Sequence, residues 1–206
     1  MMTSEYMNDD FVRSFWWYGV VKRSLDVMFA VIASIILIVP ALIIAILIKM
    51  TSKGPVLYWS DRVGCNNELF KMPKFRTMVL GAPVVATHLL HDHDIFVTKV
   101  GRTLRKLSLD EFPQIFSILK GDMSFVGPRP ALFNQEDLIE LRTKNGVHRL
   151  IPGLTGWAQI NGRDDLPIPV KVTLDHYYLL NRSTLLDMKI LFYTFINVAC
   201  KKGVHH

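Results

Sequence analysis

After Asp26 the chain runs without a formal charge from Val27 to Ile48, and Lys49 and Lys53 close the run. Wound as a straight helix it would extend roughly 33 Å at about 1.5 Å per residue, enough to cross the hydrocarbon core of a bilayer. The run starts late and lacks a small-residue cleavage site, which argues against a cleaved signal peptide. Pro40 lies inside it and should kink or break the helix, freeing a carbonyl that needs another partner. Basic residues flank both ends, so charge gives no orientation. Two arrangements stay open. A proline-kinked helix could span the membrane, or a re-entrant helix could bend at Val39-Pro40 and leave on the face it entered.

The remaining bulk properties agree with a membrane setting. Half of the 206 residues are hydrophobic, mean hydropathy is +0.25, and the length suits one domain with a real core. The polar residues 1–10 precede Phe15-Trp16-Trp17-Tyr18, large aromatics beside Lys22 and Arg23, a mixture that settles at the headgroup level. The net charge of +6 comes without a zinc-finger spacing, basic helix or aromatic RNA-binding signature, so anionic lipid and anionic substrate suit it better than nucleic acid. Cys65 and Cys200 are far apart and form no C-x-x-C, which fits a reducing compartment and argues against a disulfide framework.

Downstream, chemistry concentrates around Leu107-Ser108-Leu109-Asp110-Glu111-Phe112-Pro113-Gln114. Carboxylates set behind Arg102, Arg105 and Lys106 point to work on an anion. Pro113 is tolerated in a first helical turn, which places Asp110 at or next to a helix N-cap, where free N–H groups would keep a carboxylate ionised. Ser108-x-x-Glu111 reads equally well as a capping box in which Glu111 only reaches back to the backbone. In the alternating stretch Leu69 to Met78, an extended backbone would put Lys74 and Arg76 on one face as a phosphate clamp or a solvated basic edge. The pair Pro128 and Pro130 should hold Arg129 on a stiff loop, a rigid fork suited to a diphosphate. The glycines of Pro152-Gly153-Leu154-Thr155-Gly156 and Gly162 would let the backbone approach a ligand, with Gln159, Asn161 and Arg163 as polar contacts.

The other segments are less telling. Val56 to Trp59 is strand-like. Gln114 to Leu119 reads as a helix ended by Lys120-Gly121, Asn134 to Lys144 as an exposed amphipathic helix, and Leu174 to Leu180 as helical. Leu185 to Ala199 is a strongly apolar helix, too polar at its start to span, that packs on the core or lies in the interface. His88, His91, Asp92, His93 and Asp94 resemble metal ligands but have no further group at ligand spacing, and a surface loop explains them.

In order along the chain, these segments resemble the bacterial sugar transferase family, the small monotopic phosphoglycosyl transferases. The residues that carry the resemblance are Lys22-Arg23 with the Pro40-broken run, Lys74-Phe75-Arg76-Thr77-Met78, Gly101-Arg102 with Leu104-Arg105-Lys106, and Ser108-Leu109-Asp110-Glu111. To these are added Lys120 through Pro130, Pro152 through Gly156, and Gln159 with Asn161-Gly162-Arg163. The resemblance implies a mostly helical α+β fold in a single membrane-associated domain, with a re-entrant helix, interfacial amphipathic helices and a small β element. It divides the chain into an N-terminal segment 1–21, a membrane helix 22–50 and a catalytic domain 51–206 on the cytoplasmic face of the bacterial inner membrane.

It also implies a ping-pong transfer. Asp110 would attack the sugar-proximal phosphorus of a UDP-sugar, expel UMP and carry the phospho-sugar until polyprenyl phosphate accepts it. Magnesium (Mg2+), held partly by Asp110, would neutralise the diphosphate. Glu111 would deprotonate or position the lipid phosphate, and Lys74, Arg76, Arg102, Arg105, Arg129, Gln159, Asn161 and Arg163 would bind substrate. Membrane lipids are expected partners, and homo-oligomerisation is left open. Three departures from the family pattern stand out. Val39 occupies a position often held by serine before the breaking proline. Ile151 replaces an arginine before Pro152-Gly153, with Arg149 two positions away. The stretch Asp164 to Pro169 does not identify a sugar. Two rival functions are a non-catalytic scaffold on the membrane surface and a membrane phosphohydrolase using the same aspartate.

Overall fold

A computed structural model describes residues 9–82, 93–162 and 166–199. Helix α1 (Asp9–Thr51) runs unbroken through Pro40, so the proline does not end the helix. It removes one ladder bond, and the turns on either side carry the helix on. Among the described residues α1 is the one helix long and apolar enough to cross a membrane. Its apolar character all round hides a second pattern. Asp26, Ala30, Ile44 and Ile48 are buried, with Ala33, Leu37, Ala41 and Ala45 partly buried between them. Apart from the adjacent Ile44 and Ala45, these positions recur every three or four residues and form one stripe. Small side chains along the stripe let other elements approach the helix axis, while Ile35, Ile36, Ile38, Val39, Leu42 and Ile46 face outward.

Strands β1 (Leu57–Val63) and β2 (Leu69–Phe75) pair antiparallel, with Tyr58 opposite Lys74 and Leu57 opposite Phe75. The connecting turn passes through Asn66 and Asn67 at positive φ, which asparagine tolerates better than most residues. Two short helices follow, α2 (His93–Phe96) and α3 (Lys99–Lys106), the latter capped by the Thr98 hydroxyl, which accepts from Gly101 N at 2.9 Å. A 3-10 turn (Leu109–Glu111) leads to α4 (Gln114–Lys120), which ends at Gly121 in the left-handed region.

Strand β3 (Ser124–Val126) pairs in parallel with β4 (Gly153–Thr155). Between them lies α5 (Glu136–Lys144), and after them come α6 (Trp157–Ile160), α7 (Ile168–Asn181) and α8 (Thr184–Ala199). The fold is therefore mostly helical with two small sheets, in the α+β class. Helix α7 starts six residues before the sequence expectation because Pro169 sits in its first turn, where proline is accommodated. Helix α5 is only partly exposed, since Leu138 and Arg142 are buried.

Four buried clusters tie these elements together, and α1 contributes to two. Ala30 packs with Met72, Ile115, Ile118 and Met123, and Ile44 and Ile48 with Phe75 and Leu104. Strand β2 and helices α3 and α4, which flank the turn carrying the acid pair, are thus built directly on α1. The other clusters join β3 to α7 and α8 through Val126, Tyr178 and Ile190, and α5 to α7 through Leu138 and Val172.

Candidate active site

The acid pair lies on the 3-10 turn, not at the N-cap of α4, which belongs to Pro113. Ser108 adopts φ 55 and makes no capping hydrogen bond, so the capping box does not form. Glu111 is engaged elsewhere. Its Oε1 accepts from Lys74 Nζ at 2.8 Å and from Arg129 Nη2 at 2.9 Å. Lys74 comes from the end of β2 and Arg129 from the loop after β3, so Glu111 fastens two remote segments to its own turn. Burial alone would raise its pKa, but the charges of Arg129 and Lys74 and their hydrogen bonds outweigh it and hold Glu111 well below the usual carboxylate range.

Asp110 is in the opposite condition. It is 9% exposed and takes no hydrogen bond from any described residue. Burial pushes its pKa above the ordinary value; Lys74, Arg105 and Arg129 act against that rise, and the Glu111 charge adds to it. The result is a carboxylate close to three cations whose own oxygens take no hydrogen bond from another described residue. Arg105 belongs to the last turn of α3 and donates from Nε to Thr77 Oγ1 at 2.9 Å. Burial lowers its pKa, and the nearby Asp110 charge offsets part of that fall. Thr77 in turn anchors α3, since Thr98 N donates to its carbonyl at 2.9 Å and Gly101 lies so close that a Cβ there would strike the Thr77 backbone.

The other expected contacts are dispersed. Arg76 does not share the clamp with Lys74. It is buried, and its Nη2 donates to Ser52 O at 3.0 Å and Ser52 Oγ at 2.7 Å, holding the C-terminal end of α1. Arg102 lies on the exposed side of α3. Asn161 donates from Nδ2 to Trp157 O at 2.7 Å and so finishes α6. Both amide atoms of Gln159 are buried without a partner, beside Gly156 and the Gly127 backbone. Arg163 lies outside the described residues, as do His88, His91 and Asp92 and the side chains of His93 and Asp94. The glycines do not open a path to a ligand. A Cβ at Gly153 or Gly156 would collide with Gly127, so they let β4 and the start of the arginine loop meet backbone to backbone, while Gly162 packs against Leu166.

Several contributors escaped the sequence expectations. Arg142 and Asp175 form a buried ion pair at 2.7 Å, and Arg142 Nη1 donates to the Arg129 carbonyl at 2.8 Å. Thirty-three positions separate the two, and no local pattern marks either. Arg23 donates to the Ile118 and Leu119 carbonyls at 2.6 and 2.8 Å, supplying partners at the C-terminal end of α4. Lys22, Tyr18 and Tyr178 all donate to Asp187, which joins the start of α1 to α7 and α8.

Comparison with known proteins agrees with the motifs. A family profile described as bacterial sugar transferase matches residues 17–201. A UDP-N-acetylgalactosamine-undecaprenyl-phosphate N-acetylgalactosaminephosphotransferase from Aeromonas hydrophila is 39% identical over 182 residues, covering 86% of this chain and 43% of that protein. The exopolysaccharide production protein ExoY of Sinorhizobium fredii is 38% identical, with 90% of this chain and 88% of that protein covered. An undecaprenyl-phosphate galactose phosphotransferase from Salmonella typhimurium is 36% identical over 89% of this chain and 42% of its own length. The chain thus spans less than half of two of these relatives and nearly all of the third.

Proposed function

Since the chain belongs to the bacterial sugar transferase family, we propose that it moves a sugar-1-phosphate from a UDP-sugar to polyprenyl phosphate, releasing UMP. The observation that carries this is the contrast within the acid pair: Glu111 is committed to two cations, whereas Asp110 is buried beside Lys74, Arg105 and Arg129 and takes no hydrogen bond from another described residue. A carboxylate in that position is an aspartyl nucleophile. Its oxygen forms a bond to the sugar-proximal phosphorus as the bridging bond to UMP breaks, and UMP takes the electron pair. An oxygen of polyprenyl phosphate then attacks the same phosphorus and frees Asp110, leaving a sugar on a polyprenyl diphosphate. Arg105, Lys74 and Arg129 balance the charge of the phosphoryl group.

Glu111 serves here by holding Lys74 and Arg129 in place, since a carboxylate kept this acidic is a poor base. The donor set also fits a magnesium ion of the kind bound by one carboxylate together with substrate phosphates and water. Asp110 takes no hydrogen bond from another described residue, and no cluster of three metal-binding side chains occurs among the described residues. Bound at Asp110, the ion would neutralise diphosphate charge. Lys74, Arg105 and Arg129 would orient the same phosphates.

The docking of α1, which is continuous through Pro40, argues against a crossing helix and supports a monotopic arrangement. Its two ends hold the same domain, through Lys22, Arg23 and Asp26 at one end and Ile48 and Ser52 at the other. A crossing helix would separate those ends by about 30 Å of hydrocarbon and draw the attached domain in with it. A monotopic protein on the cytoplasmic face keeps both ends at one surface.

The decisive assay supplies purified protein with polyprenyl phosphate, magnesium and UDP-glucose, UDP-galactose or UDP-N-acetylgalactosamine. UMP release is expected with at least one donor, and donor alone should leave a phospho-sugar adduct on Asp110. Asp110→Asn should abolish both. Undiminished UMP release by Asp110→Asn would overturn the assignment.

A further inference from the structure

We propose that Arg142 and Asp175 are a positioning pair that aims the Arg129 side chain at the acid pair by fixing its main chain. The loop around Arg129 is held at three successive carbonyls. Gly153 N donates to Pro128 O at 2.9 Å, Arg142 Nη1 to Arg129 O at 2.8 Å, and Arg62 Nη1 to Pro130 O at 3.1 Å. Arg142 is the hub of this clamp. Its Nε and Nη2 both donate to Asp175 Oδ2, at 3.0 and 2.7 Å, while Nη1 points to the loop. One planar guanidinium therefore sets the angle between α7, α5 and the loop. Lysine, with a single nitrogen on a flexible stem, cannot reproduce that geometry.

Burial singles out the pair. Asp175 is 1% and Arg142 is 8% exposed, and Nε, Nη1 and Nη2 of Arg142 are each bonded to Asp175 or to the Arg129 carbonyl, so the pair acts on the loop. Removing a charge pair from water is costly, and a buried ion pair is weak evidence for stability compared with packed apolar side chains. Its value here lies in direction. The proline neighbours remove torsional freedom from the loop, and Arg142 fixes what remains. The Arg129 side chain, about one third exposed, then reaches Glu111 Oε1 at 2.9 Å. Positional errors of about 1 Å at a reacting centre can cost on the order of a hundredfold in rate.

This inference rests on the assignment of Asp110 and its cations as the reaction site, and the experiment separates the two. The full chain in detergent micelles is assayed for UMP release with the three UDP-sugars and polyprenyl phosphate. Arg142→Lys, Arg129→Lys and the double variant form a cycle. Arg142→Lys is expected to lower kcat/KM for the UDP-sugar roughly tenfold, and the double variant should be no slower than Arg129→Lys alone, because both act through one guanidinium. Equal, additive losses would overturn the proposal, since Arg142 would then be acting on stability in general. Should Arg142→Lys fail to fold, Asp175→Glu keeps the charge, displaces the pair and completes the same cycle. Asp110→Asn runs alongside. Loss of turnover there with an additive cycle leaves the site assignment standing and removes the positioning role. Retained turnover with a non-additive cycle does the reverse.

Discussion

Asp110 and Glu111 are neighbours in sequence with opposite effects on folding. Asp110 binds a proton more readily in the folded chain than when unfolded, so its ionised form at neutral pH subtracts from stability; Glu111 is depressed and adds to it. The Glu111 contribution is present above the ordinary carboxylate pKa and is lost as pH falls through the acid range. Asp110→Asn should therefore raise the thermal midpoint, by about 2–4 °C for each kcal/mol gained, while abolishing turnover. Glu111→Gln should lower the midpoint at neutral pH and narrow the gap from wild type as the solution is acidified. It should also slow UMP release roughly tenfold to a hundredfold by loosening Lys74 and Arg129. Differential scanning calorimetry across pH checks the first pair of signs; a lower midpoint for Asp110→Asn would contradict a burial of its charge that the three cations only partly offset. The identities of Lys74, Arg105, Asp110, Glu111 and Arg129 were legible because charge and proline chemistry are local. Their pairing was not. Whether Glu111 caps a turn or binds Lys74 depends on where β2 ends in space, and whether Arg76 clamps phosphate or holds Ser52 depends on the docking of α1.

At the scale of elements, α1 is the frame on which the short pieces are hung. Its length and Pro40 were plain in the sequence, but its docking face was masked by apolar residues all round. The alanines at 30, 33, 41 and 45 were the signal, because small residues permit close helix packing. Asp187 secures the start of the frame with three donors. Asp187→Ala leaves Lys22 without its carboxylate partner and should cost about 3–5 kcal/mol, with amide exchange quickening first in residues 18–26 and in α8. Unchanged protection there would show that apolar packing alone secures the end. The β3–β4 pair is equally demanding in a different way. Gly153→Ala forces a Cβ into the Gly127 backbone, so the arginine loop must shift. Turnover should then fall by at least tenfold even in preparations whose circular dichroism matches wild type. The sequence pattern placed these glycines near the site, but it could not distinguish a ligand from another stretch of backbone as the close neighbour.

For the molecule as a whole, the outward side of α1 is continuous in character with other exposed apolar residues, among them Leu185, Phe192 and Phe195 on α8 and Phe116 on α4. A surface this apolar belongs in or against a bilayer. Exposure alone does not fix which way the long helix lies; the polar contacts at its two ends bear on that. Lys22 to Asp187 and Arg76 to Ser52 are bonds of one domain to both ends of one helix, and neither partner would be held in place if the ends faced different compartments across a bilayer. Paired labelling checks this directly. With Cys65 and Cys200 replaced by serine, Val20→Cys and Lys53→Cys variants are exposed to a membrane-impermeant thiol reagent in sealed cells and in inverted inner-membrane vesicles. Both sites should react only in the inverted vesicles. If Val20→Cys labels from one side and Lys53→Cys from the other, the helix crosses, and one domain cannot hold both ends as it does here. Labelling from one side, together with loss of membrane attachment when Ile35, Ile36 and Ile38 are replaced by charged residues, would tie anchoring to the outward face of α1 and leave its inner stripe to support the site.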